Sequence, residues 1–99
     1  MNNKVFITGG AQRIGKALVE HFHSKGWDVL FQYRSSKSEA EKISSSLNKA
    51  RPDSCEIIEC DFDDKKSCDN FYEQLEQNIS GLTGLVNNAS TFYPKKLSE

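Results

Sequence analysis

The chain has 99 residues, with 13 Lys and Arg against 14 Asp and Glu, for a formal net charge of −1. Apolar residues make up 36% and charged residues 27%, the balance of one small soluble domain rather than a disordered chain. This charge leaves no electrostatic footprint for nucleic acid or an anionic membrane, and no apolar run approaches the ~20 residues of a bilayer span. The opening MNNKVFITGG is too weakly apolar for a secretory signal, so the expected location is cytoplasmic.

Residues 4–8 are β-rich and stop at Gly9-Gly10. Residues 13–25 then read as a helix, with Ile14, Ala17, Leu18 and Phe22 predicting its buried stripe and Gly26 its C-cap. Residues 27–33 form a second strand, nearly continuous in apolar and aromatic residues. A second helix over 37–50 buries Ala40, Ile43 and Leu47 and stops before Pro52. A third strand covers 54–60. A third helix over about 64–79 carries Phe71, Leu75 and Ile79, with Asp63 or Asp64 as its N-cap. A fourth strand covers about 82–87, and the tail from Ser90 is loop-like.

The order β-α-β-α-β-α-β implies parallel strands joined by right-handed crossovers. The predicted fold class is therefore α/β, a Rossmann-type doubly wound parallel sheet of which only the first four strands are present. Residues 1–99 read as a single partial domain of this kind. Such sheets bind ligands beyond the carboxyl ends of their strands. Cys55, Cys60 and Cys68 are odd in number and lack zinc spacing, so three reduced thiols are expected. On a strand, Cys55 and Cys60 point to opposite faces. His21 and His23, two apart on a helix, read as ordinary surface or boundary residues.

Between the first strand and first helix stands Thr8-Gly9-Gly10-Ala11-Gln12-Arg13-Ile14-Gly15. Gly9 and Gly10 permit a tight turn and a close backbone approach to a pyrophosphate. Gly15 permits close packing of helix on strand, and the helix N-terminus offers unpaired N–H donors. The loop resembles the T-G-x-x-x-G-x-G loop of short-chain dehydrogenases/reductases. It departs where Arg13 replaces the middle glycine, a substitution that resembles pteridine reductases and dihydropteridine-type reductases. Arg13 can bond phosphate oxygens, or can simply be an exposed helix-start residue.

The end of the second strand discriminates NAD from NADP, because a carboxylate there binds the ribose hydroxyls and repels a 2′-phosphate. The chain instead has Tyr33-Arg34-Ser35-Ser36-Lys37, with Arg34 19 residues past Gly15. Arg34, Ser35 and Ser36 are suited to a phosphate, so NADPH is the expected cofactor; the plainer reading is a solvated basic turn. The resemblance implies that Asp61, followed by Phe62, accepts from the adenine amino group. A carboxylate there can equally cap its own turn.

Asn87-Asn88-Ala89-Ser90 resembles the family's N-N-A-G motif, with Ser90 in place of glycine. The resemblance implies that Asn88, Ala89 and Ser90 line the ribose and nicotinamide. It further implies that Ser90 contacts a pterin and that Phe92 stacks on its ring, although Phe92 by itself would be a packing residue. The cofactor site expected is thus Thr8, Gly9, Gly10, Arg13, Ile14, Gly15, Tyr33, Arg34, Ser35, Ser36, Asp61, Phe62, Asn88, Ala89 and Ser90, and the substrate site Ser90 and Phe92. No metal site is expected.

The same resemblance puts the family's catalytic Tyr-x-x-x-Lys pair well beyond residue 99. The chain is read as lacking that pair, and no catalytic residue is assigned to it. The expected function is the cofactor-binding, truncated N-terminal part of an NADPH-dependent pterin reductase, inactive alone. Alternatives are a non-catalytic NADP-binding module that forms a homo-oligomer through the exposed fourth strand, and a reductase of another carbonyl substrate.

Overall fold

A computed structural model describes residues 3–9, 11, 13–78 and 82–86. Within them the elements run β1 (Lys4–Ile7), α1 (Arg13–Ser24), β2 (Asp28–Tyr33), α2 (Lys37–Ala50), β3 (Cys55–Glu59), α3 (Lys65–Asn78) and β4 (Gly84–Val86). The strands form one parallel sheet in the order β3-β2-β1-β4. The first strand is therefore interior, paired through Val5 with Val29 on one side and with Gly84 on the other. The expected α/β doubly wound class and its four parallel strands are what the structure has.

Side-chain alternation splits the core into two layers. Val5, Ile7, Val29, Phe31, Tyr33 and Cys55 project to one face of the sheet, where they meet Val19 of α1 and Ala40 and Ile43 of α2. Phe6, Leu30, Ile58 and Cys60 belong to the opposite face, packed with Phe71 and Leu75 of α3. Cys55 and Cys60 thus lie on opposite faces, as the strand period requires. In α2 Leu47 is partly buried beside Ala40 and Ile43. In α3 Phe71 and Leu75 are fully buried, whereas Ile79 lies outside the described residues.

The α1 stripe needs correction. Ile14 is 70% exposed and Ala17 is also exposed, while Gly15, Val19 and His23 form the buried line. These three are four apart, so they stack on one face. A glycine on that face lets the helix axis approach the sheet, and this rotates Ile14 outward. Leu18 and Phe22 flank the buried line and are partly buried. His23 is consequently an interior residue, 7% exposed, and not a surface one.

The end of α1 is a Schellman motif. Trp27 N–H donates to Phe22 O at 3.1 Å and Gly26 N–H to His23 O at 3.0 Å, with Gly26 at φ +91°. The Phe22 and Trp27 rings meet edge to face at 5.2 Å and complete it. The far end of α2 is fixed differently. Asn48 Oδ1 accepts from the N–H groups of Ser54 and Cys55, both at 2.9 Å, and its Nδ2 donates to Cys55 O at 2.9 Å. One amide thus joins the last turn of α2 to the first residues of β3.

Candidate functional site

The carboxyl ends of β1, β2 and β3 emerge together, and the N-termini of α1 and α2 open at this same edge of the sheet. Thr8 is buried and its N–H donates to Val86 O at 3.1 Å, which carries the β1–β4 pairing one residue beyond the strand. Gly9 then turns at φ +69°, a left-handed conformation that favours glycine. The helix begins at Arg13, itself at φ +20° and exposed. Gly15 is buried in the first turn. A short loop from a buried strand into a helix N-terminus presents backbone donors and the positive end of a helix dipole to an anion. Gly10 of this loop lies outside the described residues.

At the end of β2, Tyr33 is 6% exposed and packed into the core, where burial, with Glu59 and Glu41 nearby, pushes its hydroxyl pKa up. Its neighbour Arg34 leaves the sheet and is 62% exposed. Ser35 is exposed, and Ser36 stands at the N-cap of α2 with its hydroxyl making no capping bond. Arg34 and the first turn of α2 therefore combine a guanidinium, two hydroxyls and a helix dipole.

Asp61 follows β3 and does two things. Its Oδ1 accepts from Asp63 N–H at 3.0 Å, capping its own turn, and the same oxygen lies 3.4 Å from Arg34 Nε. Arg34 Nη1 also lies 3.7 Å from Asp63 Oδ2. The arginine is thus flanked by two carboxylates. Asp64 Oδ1 accepts from Lys66 N–H at 3.2 Å and so caps α3. Phe62 is half-buried, its ring edge to face with Phe71 at 5.4 Å.

Gln32 joins these strand ends from beneath, and Ser67 of α3 holds the exit of β3. Gln32 is 3% exposed. Its Oε1 accepts from Gly9 N–H at 2.7 Å, and its Nε2 donates to Cys60 O at 2.7 Å. Ser67 Oγ accepts from Asp61 N–H at 2.9 Å. The sequence reading missed Gln32; the signal was one amide inside an otherwise apolar and aromatic run, 29–33.

Strand order, the glycine turn at Gly9 and the helix that opens behind it are the arrangement of a dinucleotide-binding α/β domain. A family model described as short chain dehydrogenase matches residues 3–99. The chain belongs to the short-chain dehydrogenase family. It is 27% identical to pteridine reductase 1 of Leishmania tarentolae, over 92% of this chain and 37% of that protein. It is 30% identical to dihydromonapterin reductase of Enterobacter sp. (strain 638), over 93% of this chain and 35% of that protein. A dehydrogenase of a different substrate is also similar, L-2,3-butanediol dehydrogenase of Corynebacterium glutamicum, at 27% over the whole chain and 38% of that protein. The chain thus spans little more than a third of the length of these curated relatives.

Among the residues expected in a short-chain dehydrogenase site, Thr8, Gly9, Tyr33, Arg34, Ser35, Ser36, Asp61 and Phe62 belong to the strand ends and loops at this edge, and Arg13, Ile14 and Gly15 to the first turn of α1. Gly10, Asn88, Ala89, Ser90 and Phe92 lie outside the described residues. One reading of the sequence is corrected here. A Tyr-x-x-x-Lys spacing does occur, from Tyr33 to Lys37. It joins the end of β2 to the first residue of α2, and the tyrosine is a core residue whose pKa is raised rather than lowered. A buried phenol of that kind is not a proton donor poised at neutral pH. Among the described residues no helix is long and apolar enough to cross a membrane.

Proposed function

We propose that the chain supplies the cofactor-binding part of an NADPH-dependent cytoplasmic reductase whose substrate is a pterin. The observation that carries the cofactor choice is Arg34, exposed at the end of β2 beside the N-terminus of α2. The residues present fit a phosphorylated dinucleotide. The turn at Gly9, with Gly10, and the first turn of α1 would receive the pyrophosphate, with Arg13 beside it. Thr8 would hold the turn and Gly15 the close approach of α1, while exposed Ile14 would face the cofactor. Arg34, Ser35 and Ser36 would receive the 2′-phosphate, with Tyr33 anchoring them to the sheet. Asp61 and Phe62 would border the adenine. Asn88, Ala89 and Ser90 would line the nicotinamide end, and Ser90 and Phe92 the pterin.

Bound there, NADPH supplies a hydride. What this chain's own residues do is bind and orient; the proton donor belongs to the family's later segments, so residues 1–99 act as a partial domain. The pterin reading is supported by the two relatives named as pterin reductases and by the segment from Asn88 to Phe92. The butanediol dehydrogenase relative supports a second reading, a carbonyl substrate of another kind. As an NADP-binding module without chemistry of its own, the chain would form a homo-oligomer through β4.

The test is thermal unfolding of the 99-residue chain, titrated with NADPH and with NADH, since a ligand of the folded state raises the midpoint with its concentration. NADPH is expected to raise it much more than NADH, and Arg34→Asp to remove that difference while leaving NADH little changed. Equal losses for both cofactors would overturn the assignment. With NADPH saturating, dihydrobiopterin is expected to raise the midpoint further and Phe92→Ala to abolish that increment. An increment from acetoin alone would favour the second reading.

A further inference from the structure

Gln32 is a side-chain amide buried on the α3 side of the sheet, in a strand whose other residues from Val29 to Tyr33 are apolar or aromatic. An amide placed there without partners would destabilise the fold, because its desolvation would not be offset. Both ends are satisfied, and by backbone groups of two different loops. Oε1 takes the N–H of Gly9 and Nε2 gives a proton to Cys60 O, each at 2.7 Å. Gly9 is the left-handed residue at which β1 turns into the phosphate loop. Cys60 immediately precedes Asp61, and its own N–H donates to Tyr33 O at 2.9 Å.

From this juxtaposition we infer that Gln32 is the positioning residue of the nucleotide site, a rigid strut that sets the phosphate loop after β1 against the Asp61 loop after β3. It touches no ligand. It fixes the direction of the Gly9 peptide, and thereby where the following donors of the loop point. It also fixes the height at which Asp61 leaves the sheet. The task needs one acceptor and one donor on a neutral planar group of this length. An ionised carboxylate keeps the acceptor and loses the donor, leaving Cys60 O facing a negative charge. A thioether of the same length loses both.

The inference rests on the nucleotide-binding reading above, and the experiment separates the two. Gln32→Met and Gln32→Glu are compared with the unsubstituted chain by amide exchange at Gly9 and by NADPH titration of the unfolding midpoint. In the absence of ligand, Gly9 N–H is expected to be protected in the unsubstituted chain. In Gln32→Met it should exchange about tenfold faster or more while Phe6 and Leu30 amides stay protected. NADPH affinity is expected to fall about tenfold with it.

Gln32→Glu supplies a readout that mere volume filling would not move. Once protonated, the introduced carboxyl has one O–H donor and one acceptor and reproduces both bonds. Only the bond to Cys60 O depends on that proton, so NADPH affinity should recover as pH falls in Gln32→Glu, relative to the unsubstituted chain at each pH, while Gly9, whose acceptor is kept in both forms, stays protected. That control carries the neighbouring titratable groups Cys60, Asp61 and Arg34 unchanged. A Gly9 amide that exchanges freely in the unsubstituted chain, or is unaltered in Gln32→Met, would overturn the inference. So would NADPH affinity that survives Gln32→Met, or a Gln32→Glu profile parallel to the control. An unsubstituted chain with a protected Gly9 but no response to NADPH would overturn the nucleotide-binding reading instead.

Discussion

His23 Nε2 and Ser54 Oγ lie 2.7 Å apart in the interior, joining the end of α1 to the residue that leads into β3. The Ser54 hydroxyl also lies within hydrogen-bonding reach of Arg51 O, so imidazole, hydroxyl and carbonyl form one buried chain. Around them the Arg51 guanidinium donates to His23 O and Trp27 O and lies 3.6 Å from Asp28 Oδ1.

This pair makes stability depend on pH. Burial, and next the Arg51 charge, lower the His23 pKa below its ordinary 6.5, with Asp28 opposing. In the unfolded chain the imidazole gains its proton near 6.5, while in the folded chain it resists until lower pH. The unfolded state therefore binds more protons in that window, and stability falls as pH drops through 6.5 toward the lowered value. Urea unfolding between pH 8 and 5 is expected to show this slope, and His23→Gln to flatten it.

Asn48 is expected to matter more to stability than its half-exposed position suggests. Asn48→Ala removes the acceptor of two N–H groups and the donor to Cys55 O, and should destabilise the fold by about 1–3 kcal/mol by denaturant unfolding. Asn48→Asp keeps the two accepted bonds and should lose less than the alanine variant.

Asp63 competes with any anion for Arg34. The ion pair is exposed, with both side chains more than 60% accessible, so its strength is modest and screened by salt. Asp63→Asn is expected to tighten binding of 2′,5′-ADP by about two- to fivefold at low ionic strength, with the gain shrinking at high salt. ADP, which lacks the 2′-phosphate, should change much less. Calorimetric titration of both nucleotides checks it.

The cysteines should react in a fixed order. Burial pushes the Cys55 thiol up to about 11 and that of Cys60 up to about 12, so neither offers appreciable thiolate near neutrality. Cys68 is only half-buried. A thiol reagent at pH 8 is expected to modify Cys68 first, and Cys55 and Cys60 only at the rate of unfolding, as mass spectrometry of quenched samples would show.

Much of this was legible in the sequence. The alternation of β-rich runs with helical periodicity is set by local sterics and burial, and each element appears within a few residues of its expected place. Gly26 and Pro52 marked helix ends because their backbone preferences act locally. The face of α1 was not legible. A periodicity count rewards Ile14 and is blind to Gly15, yet the missing side chain at Gly15 decides which face approaches the sheet. Gln32 and His23 escaped for a related reason. Each is polar, and its burial is tolerable only because its partners, Gly9 and Cys60 for one and Ser54 for the other, come from segments far away in the chain. The Arg34–Asp61 contact depends on the loops after β2 and β3 coming together, which strand order alone determines.

The interior position of β1 has a consequence for how the chain is made. Lys4 N–H donates to Thr83 Oγ1 across 79 residues of sequence, and β1 pairs with β2 on its other side. During synthesis the first strand emerges long before the last of its neighbours. It must wait, partnered on one edge only, until β4 leaves the ribosome, so the step that gives β1 its second partner is a slow, long-range closure rather than a local one.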